Sequence, residues 1–168
     1  EDKVLLNASD YRVEIKDITI WLDYDLDIID KQIDEFLDDF VNAQRPSLLI
    51  GGGVRTAGAV DELQLLSELL KVPMHPTWNA LDIVTSDNPY YGGPIGTYGG
   101  AGRNFGIQNS DLILAIGSRI SGRITGGNVM TFARGAKKYL VDIDEGLLQR
   151  QNQEVPFDVN IFADAKLF

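Results

Sequence analysis

The chain has 168 residues, with 25 acids against 15 lysines and arginines for a formal net charge of −10, one histidine and no cysteine. Disulfides, thiolate metal sites and cysteine nucleophiles are therefore excluded, and the acidic balance argues against nucleic acid, whose phosphates require a basic face. A hydrophobic share of 44% over this length suits one domain or a little more with its own core, and no stretch reads as membrane-spanning.

The acidity belongs to the front. Residues 1–45 hold 13 acids and 5 bases, net −8, whereas residues 46–168 hold 12 and 10, net −2. The acid-rich front reads as a solvated helix face. The first residue is Glu1 and no apolar export signal follows, so the expectation is a cytoplasmic protein and a processed chain or a piece of a longer one.

Residues 11–15 and 18–22 look like short strands, too little for a domain, and residues 1–27 read as an arm or the remnant of an upstream domain. From Ile28 the apolar positions Ile33, Phe36, Leu37, Phe40 and Val41 recur at helical spacing, with acids between them, up to a stop before Pro46. Residues 47–50 are a short apolar run, read as a strand covered on both faces. It ends in Gly51-Gly52-Gly53, a turn whose backbone can face an anion. A helix over about 57–70 follows, with its positive end expected toward a diphosphate. Residues 72–77 read as a second strand, which makes a parallel crossover unit. Residues 86–102, rich in glycine and tyrosine with two prolines, read as a long functional loop. Residues 111–116 and 138–144 read as further buried strands, 145–151 as a short helix and 159–162 as a last strand, with Ala163-Asp164-Ala165 at its exit. The pattern predicts an α/β fold, a doubly wound, mainly parallel Rossmann-like sheet with helices on both faces, over residues 28–168.

Four groups fall at strand ends: Gly51-Gly52-Gly53, Thr77-Trp78-Asn79, Gly117-Ser118-Arg119 with Arg123, and Asp142-Ile143-Asp144. Such ends share one edge, where ligands bind in open α/β sheets. Glycine amides and forked arginines hold phosphates, and a strand-end carboxylate accepts from ribose or adenine. Each member also has a plain structural reading: the arginines neutralise acids, the aspartates cap helices and Trp78 is core. The dinucleotide fingerprint GxGxxG is absent, because Thr56 follows Gly51 and Gly53 where the third glycine belongs, and Phe105 follows Gly100 and Gly102. No GxxxxGK[ST] loop, calcium loop or nucleophile elbow is present. His75, the lone histidine, reads as a packed structural residue.

This ordered set of motifs resembles the central domain of thiamine-diphosphate-dependent enzymes, and most closely that of the acetolactate synthase (acetohydroxyacid synthase) large subunit. The resemblance covers about residues 28–168. It is carried by Arg45 to Gly53, Thr77-Trp78-Asn79, Gly96-Thr97-Tyr98-Gly99, Ser110 to Arg119, Arg123-Ile124-Thr125-Gly126, Val141 to Asp144 and Ala163-Asp164. It implies the middle of three α/β domains, without catalytic residues or metal ligands of its own and inactive alone. The thiamine-activating glutamate would lie upstream and the Gly-Asp-Gly metal-diphosphate motif, absent here, downstream. In the full enzyme it implies thiamine diphosphate, magnesium and a 2-oxo acid substrate such as pyruvate, decarboxylated and transferred to an acceptor. Implied partners are the other domains of the parent enzyme and further copies in a homo-oligomer. Members of the family bind FAD, ADP or nothing in this domain. The matching cofactor-binding positions are Gly52, Gly53, Thr77, Trp78, Gly96, Thr97, Gly117, Arg119, Arg123, Asp142, Ile143 and Asp164. The chain departs from the synthases in having Ser121 and Gly122 where two aspartates are common, and Trp78-Asn79 in place of an aliphatic pair. Tyr24-Asp25 stand where a proline usually follows the upstream strand. A ligand-free structural spacer and an autonomous NAD-dependent enzyme are the other readings.

Overall fold

The computed structural model describes residues 24–149 and 153–168. The expected strands at 11–15 and 18–22, and the end of the expected helix 145–151, lie outside the described residues. Five strands, β1 (Pro46–Ile50), β2 (Met74–Pro76), β3 (Leu112–Ile116), β4 (Lys137–Asp142) and β5 (Val159–Phe162), form one sheet in the order β2-β1-β3-β4-β5. Every pairing is parallel.

Alternate residues of the three central strands, β1, β3 and β4, enter two separate cores. Leu48, Ile50, Leu114, Ile116, Tyr139 and Val141 face one, and Leu49, Ile113, Ala115 and Leu140 face the other. Burial on both faces is why these segments read as unbroken apolar runs rather than alternating ones. The first face is covered by α1 (Leu26–Asn42), through Ile29 and Phe36, and by α3 (Val60–Leu70), through Leu63. The second is covered by Ile107 of α4 (Ala101–Gln108) and by Phe132 and Phe157 from the later connections.

The Asp25 side chain caps α1 by accepting from the Ile28 amide at 3.1 Å. At the other end of α1, Lys137 Nζ lies 2.7 Å from Glu35 and 2.6 Å from Asp39, and the buried Tyr139 hydroxyl donates to Asp39. Phe36 meets Tyr139 edge to face at 5.4 Å. Asp111, just before β3, accepts from the Gln44 and Arg45 amides at 2.8 Å each, which fixes the turn from α1 into β1.

Two expectations need correction. The helix expected over 57–70 is α3, which begins only at Val60, and a separate helix α2 (Gly53–Thr56) precedes it, the two parted where Gly58 turns to φ +67°. Only the four-residue α2 follows the glycine turn directly, so no long helix aims its dipole there. The stretch after Gly100, read as the end of a loop, opens α4. Two short helices complete the connections, α5 (Gly122–Thr125) after β3 and α6 (Glu145–Leu148) after β4.

Candidate functional site

The chain leaves β1 for β2 on one side and reaches β3 on the other, so the sheet's topological switch point lies between the carboxyl ends of β1 and β3. A cleft of about 720 Å³ opens there, lined by Gly51, Gly52, Thr77, Trp78, Asn79, Thr97, Tyr98, Gly117, Ser118, Arg119, Ser121, Arg123 and Ile124. Seven of the sequence-selected residues therefore meet: Gly52, Thr77, Trp78, Thr97, Gly117, Arg119 and Arg123. The size is within the range of small-molecule sites.

The main chain holds this rim rigidly. The Gly51 amide donates to Ile116 O at 2.9 Å, Gly53 to Gly117 O at 3.0 Å, Thr77 to Ile50 O at 2.8 Å and Gly117 to Val141 O at 2.9 Å. A Cβ on Gly51 would overlap the Gly117 carbonyl, and one on Gly53 would lie 2.7 Å from Gly117 Cα. Gly117 itself has φ +57°. These three glycines are thus required by backbone meeting backbone, whether or not a ligand binds. Gly52 is different: it lines the cleft, and among the described residues nothing accepts from its amide.

Arg119 and Arg123 lie on the connection after β3, both exposed. Neither guanidinium makes a hydrogen bond or ion pair among the described residues, unlike Arg55, which bonds Asn79 O at 2.9 Å and pairs with Asp82. Charge neutralisation therefore does not account for the two cleft arginines. Gly122 donates to Glu154 Oε2 at 2.9 Å, which anchors the α5 turn that carries Arg123.

The far rim is built from the loop before α4. Thr97 donates its amide at 3.0 Å and its hydroxyl at 3.2 Å to Arg123 O. Asn104 of α4 clasps Gly96, accepting from its amide at 2.8 Å and donating to its carbonyl at 3.0 Å. Gly96, at φ +94°, lines a smaller neighbouring hollow with Thr97 and Ile124. Trp78 and Tyr98 come together across the rim with ring centroids 5.1 Å apart, and both are largely exposed. Trp78 is therefore not core. Tyr98 and Asn104 were absent from the sequence-based selection. Tyr98 lies inside the motif Gly96-Thr97-Tyr98-Gly99, whereas a single clasping asparagine leaves no pattern to find.

The remaining selected residues stand apart from the cleft lining. Gly53 begins α2 behind Gly52. Asp142 ends β4 and Ile143 follows it at the same sheet edge, and Asp164 follows β5. Asp142 accepts from the Asp144 amide at 3.0 Å, and burial, joined by the Asp144 charge, raises its carboxyl pKa. Asp144 caps α6 by accepting from Leu147 at 3.1 Å, and Asp164 accepts from Lys166 at 2.8 Å, so both do the local capping that their positions allow. His75 is buried, with its Nδ1 2.9 Å from Gly93 O, and burial lowers its pKa. It is a packed residue, as expected. Among the described residues no group of acids or histidine is arranged to hold a metal, and no helix is long and apolar enough to cross a membrane.

A five-stranded parallel sheet with helices on both faces and a cleft at its switch point defines a doubly wound, Rossmann-like α/β domain. Residues 33–168 match the family model described as "Thiamine pyrophosphate enzyme, central domain", and the chain belongs to that family. It is 36% identical over 137 residues to the "Probable acetolactate synthase large subunit" of Methanococcus aeolicus, covering 82% of this chain and 22% of that protein. It is 35% identical over 122 residues to the acetolactate synthase isozyme 2 large subunit of Escherichia coli K12, covering 73% of this chain and 22% of that protein. The chain thus spans about a fifth of the length of these relatives. An X-ray structure from Mycobacterium smegmatis, described as thiamin diphosphate-dependent, has the same fold. Its TM-score is 0.64 at 21% identity, over 82% of this chain and 26% of that one.

Proposed function

We propose that the chain is the central, non-catalytic domain of an acetolactate synthase-like thiamine-diphosphate-dependent enzyme, and that its cleft holds a nucleotide diphosphate, FAD or ADP. One observation carries the binding part: two arginines and a Gly52 amide that have no partners among the described residues share one cleft at the switch point. A diphosphate placed there gains charge-assisted hydrogen bonds from both guanidinium forks and completes a rim that is already rigid. Thiamine diphosphate and magnesium belong to the other domains of the parent enzyme, where that cofactor supplies the carbanion chemistry on a 2-oxo acid. This domain's own work is to bind, to orient and to pack against its neighbours. In the same reading the full enzyme is a cytoplasmic homo-oligomer, and the unit that folds around the cleft runs from residue 28 to residue 168.

Calorimetric titration of the purified chain with FAD, ADP and coenzyme A tests the binding part, with saturable heat from FAD or ADP expected. Silence toward all three leaves a structural spacer. One feature favours that second reading: Gly51, Gly53 and Gly117 are fully explained by the close crossing of their backbones.

A further inference from the structure

A second polar hollow, of about 380 Å³, lies at the amino ends of the strands, lined by Arg45 before β1, Gln108 and Asn109 before β3, and Arg134 and Gly135 before β4. The central strands run five or six residues from these ends to the cleft, roughly 16–20 Å, so the two are separate places on the sheet. Arg45 Nε donates to Asn109 O at 2.7 Å, which fixes the guanidinium, while its Nη2 stays 3.8 Å from Asp111, beyond hydrogen-bond length. The Asp111 oxygens are engaged instead by the Gln44 and Arg45 amides. The Arg134 guanidinium has no hydrogen bond or ion pair among the described residues. It stands in a turn that the Ala136 amide closes onto Ala133 O at 3.0 Å. Ala133 is fully buried at φ +42°, with its amide held by Gln108 Oε1 at 2.8 Å; a non-glycine residue keeps such a conformation only where its surroundings over-determine it. The buried Lys138 completes the hold, its Nζ donating to Ala136 O at 2.9 Å and to Ala133 O at 3.4 Å. That ammonium forms no ion pair among the described residues. A buried cation without a counter-charge is costly, and its positive field acts at the turn that carries Arg134.

We propose that this hollow binds a phosphate group, free or as a monoester, between the guanidinium forks of Arg45 and Arg134. In a chain of net charge −10, three cations without a hydrogen-bonded acid meet at one place. The neutral groups beside them agree in sign: Gln108 spends its Oε1 on the Ala133 amide, which leaves its Nε2 as a donor, and the Gly135 amide has no acceptor among the described residues. Two forks and two further donors suit the oxygens of a phosphate dianion better than the two oxygens of a carboxylate. Successive turn amides are also a recurrent anion cradle. The proposal is independent of what the cleft at the carboxyl ends holds.

The test is a proton–nitrogen NMR titration of the whole chain, at constant ionic strength in phosphate-free buffer, with inorganic phosphate, glycerol 3-phosphate and succinate. It is run on the parent and on Arg134→Gln and Arg134→Lys, each checked for folding by its thermal melt. The expected result is saturable movement of the Gly135 amide and the Gln108 side-chain amide with phosphate, about tenfold weaker in Arg134→Gln and partly restored in Arg134→Lys. Tighter binding of glycerol 3-phosphate assigns the hollow to an ester and equal affinity to the free ion, and both outcomes support phosphate recognition. A Gly135 amide that stays still, moves with the same affinity in Arg134→Gln, or answers succinate as strongly as phosphate would overturn the proposal. The Gly52 amide reports the cleft in the same spectra, so failure at Gly135 leaves the nucleotide reading standing.

Discussion

Gly53 donates its amide to Gly117 O at 3.0 Å, and a Cβ on either residue would come within 2.8 Å of the other's Cα. The turns after β1 and β3 are therefore in backbone contact at the base of the cleft. Gly117→Ala meets both this contact and a positive φ, so it is expected to cost about 2–4 kcal/mol. Gly106→Ala, in the open interior of α4 where an added Cβ meets nothing, is expected to gain about 0.5–1 kcal/mol. Urea unfolding of the two variants, compared through midpoints at constant slope, checks both.

His75 makes stability depend on pH near neutrality. Burial holds its folded pKa below the unfolded value of 6.5; the bond to the Gly93 carbonyl opposes that shift and the nearby Arg103 charge adds to it. A lowered folded pKa means that the unfolded chain takes up the proton first. The stability is complete above pH 6.5 and is lost as pH falls toward the folded value. Urea midpoints measured between pH 5 and 8 are expected to fall on the acid side, and His75→Asn flattens that slope.

Among the described residues the Arg119 and Arg123 guanidinium groups have no partners to lose, so Arg123→Gln is expected to leave the melting temperature within about 1 °C of the parent. The same change is expected to weaken nucleotide diphosphate binding about tenfold, with a shallower dependence on salt. Calorimetry at two ionic strengths reads both effects.

Tyr139→Phe tests the other end of the sheet. Tyr139 is buried, and its hydroxyl and Lys137 share Asp39; losing the hydroxyl is expected to cost about 1 kcal/mol. The cleft lies at the opposite strand ends, so ligand affinity is expected to stay unchanged. A drop in affinity alongside stability would mean that the sheet transmits strain between its ends.

The strands were legible because burial on both faces leaves apolar runs such as Leu48-Leu49-Ile50 and Ile113 to Ile116. Helix α4 was not, since Gly102 and Gly106 dilute its propensity and Ile107 alone is fully buried. The start of α3 was placed three residues early, because Gly58 at φ +67° leaves no mark in the apolar spacing. In the site, the strand-end rule brought six residues together and the resemblance added Thr97, yet the rule also picked Asp144 and the resemblance Asp164, whose carboxylates satisfy nearby amides instead. Sequence position tells where a side chain starts, and only the backbone path tells which amide it meets first.

The parallel register Ile50 to Ile116 gives the cleft a history as well as a shape. Its two walls come from stretches of chain that must find one another across a long intervening segment, and loop closure of that kind is slow and comes before any local reward. No fragment of the domain can own half of this site, so affinity for the proposed nucleotide would itself be a gauge of completed folding. A substitution that delays the meeting of those two strands will register as empty binding sites in a freshly made preparation long before it registers as a lower melting point.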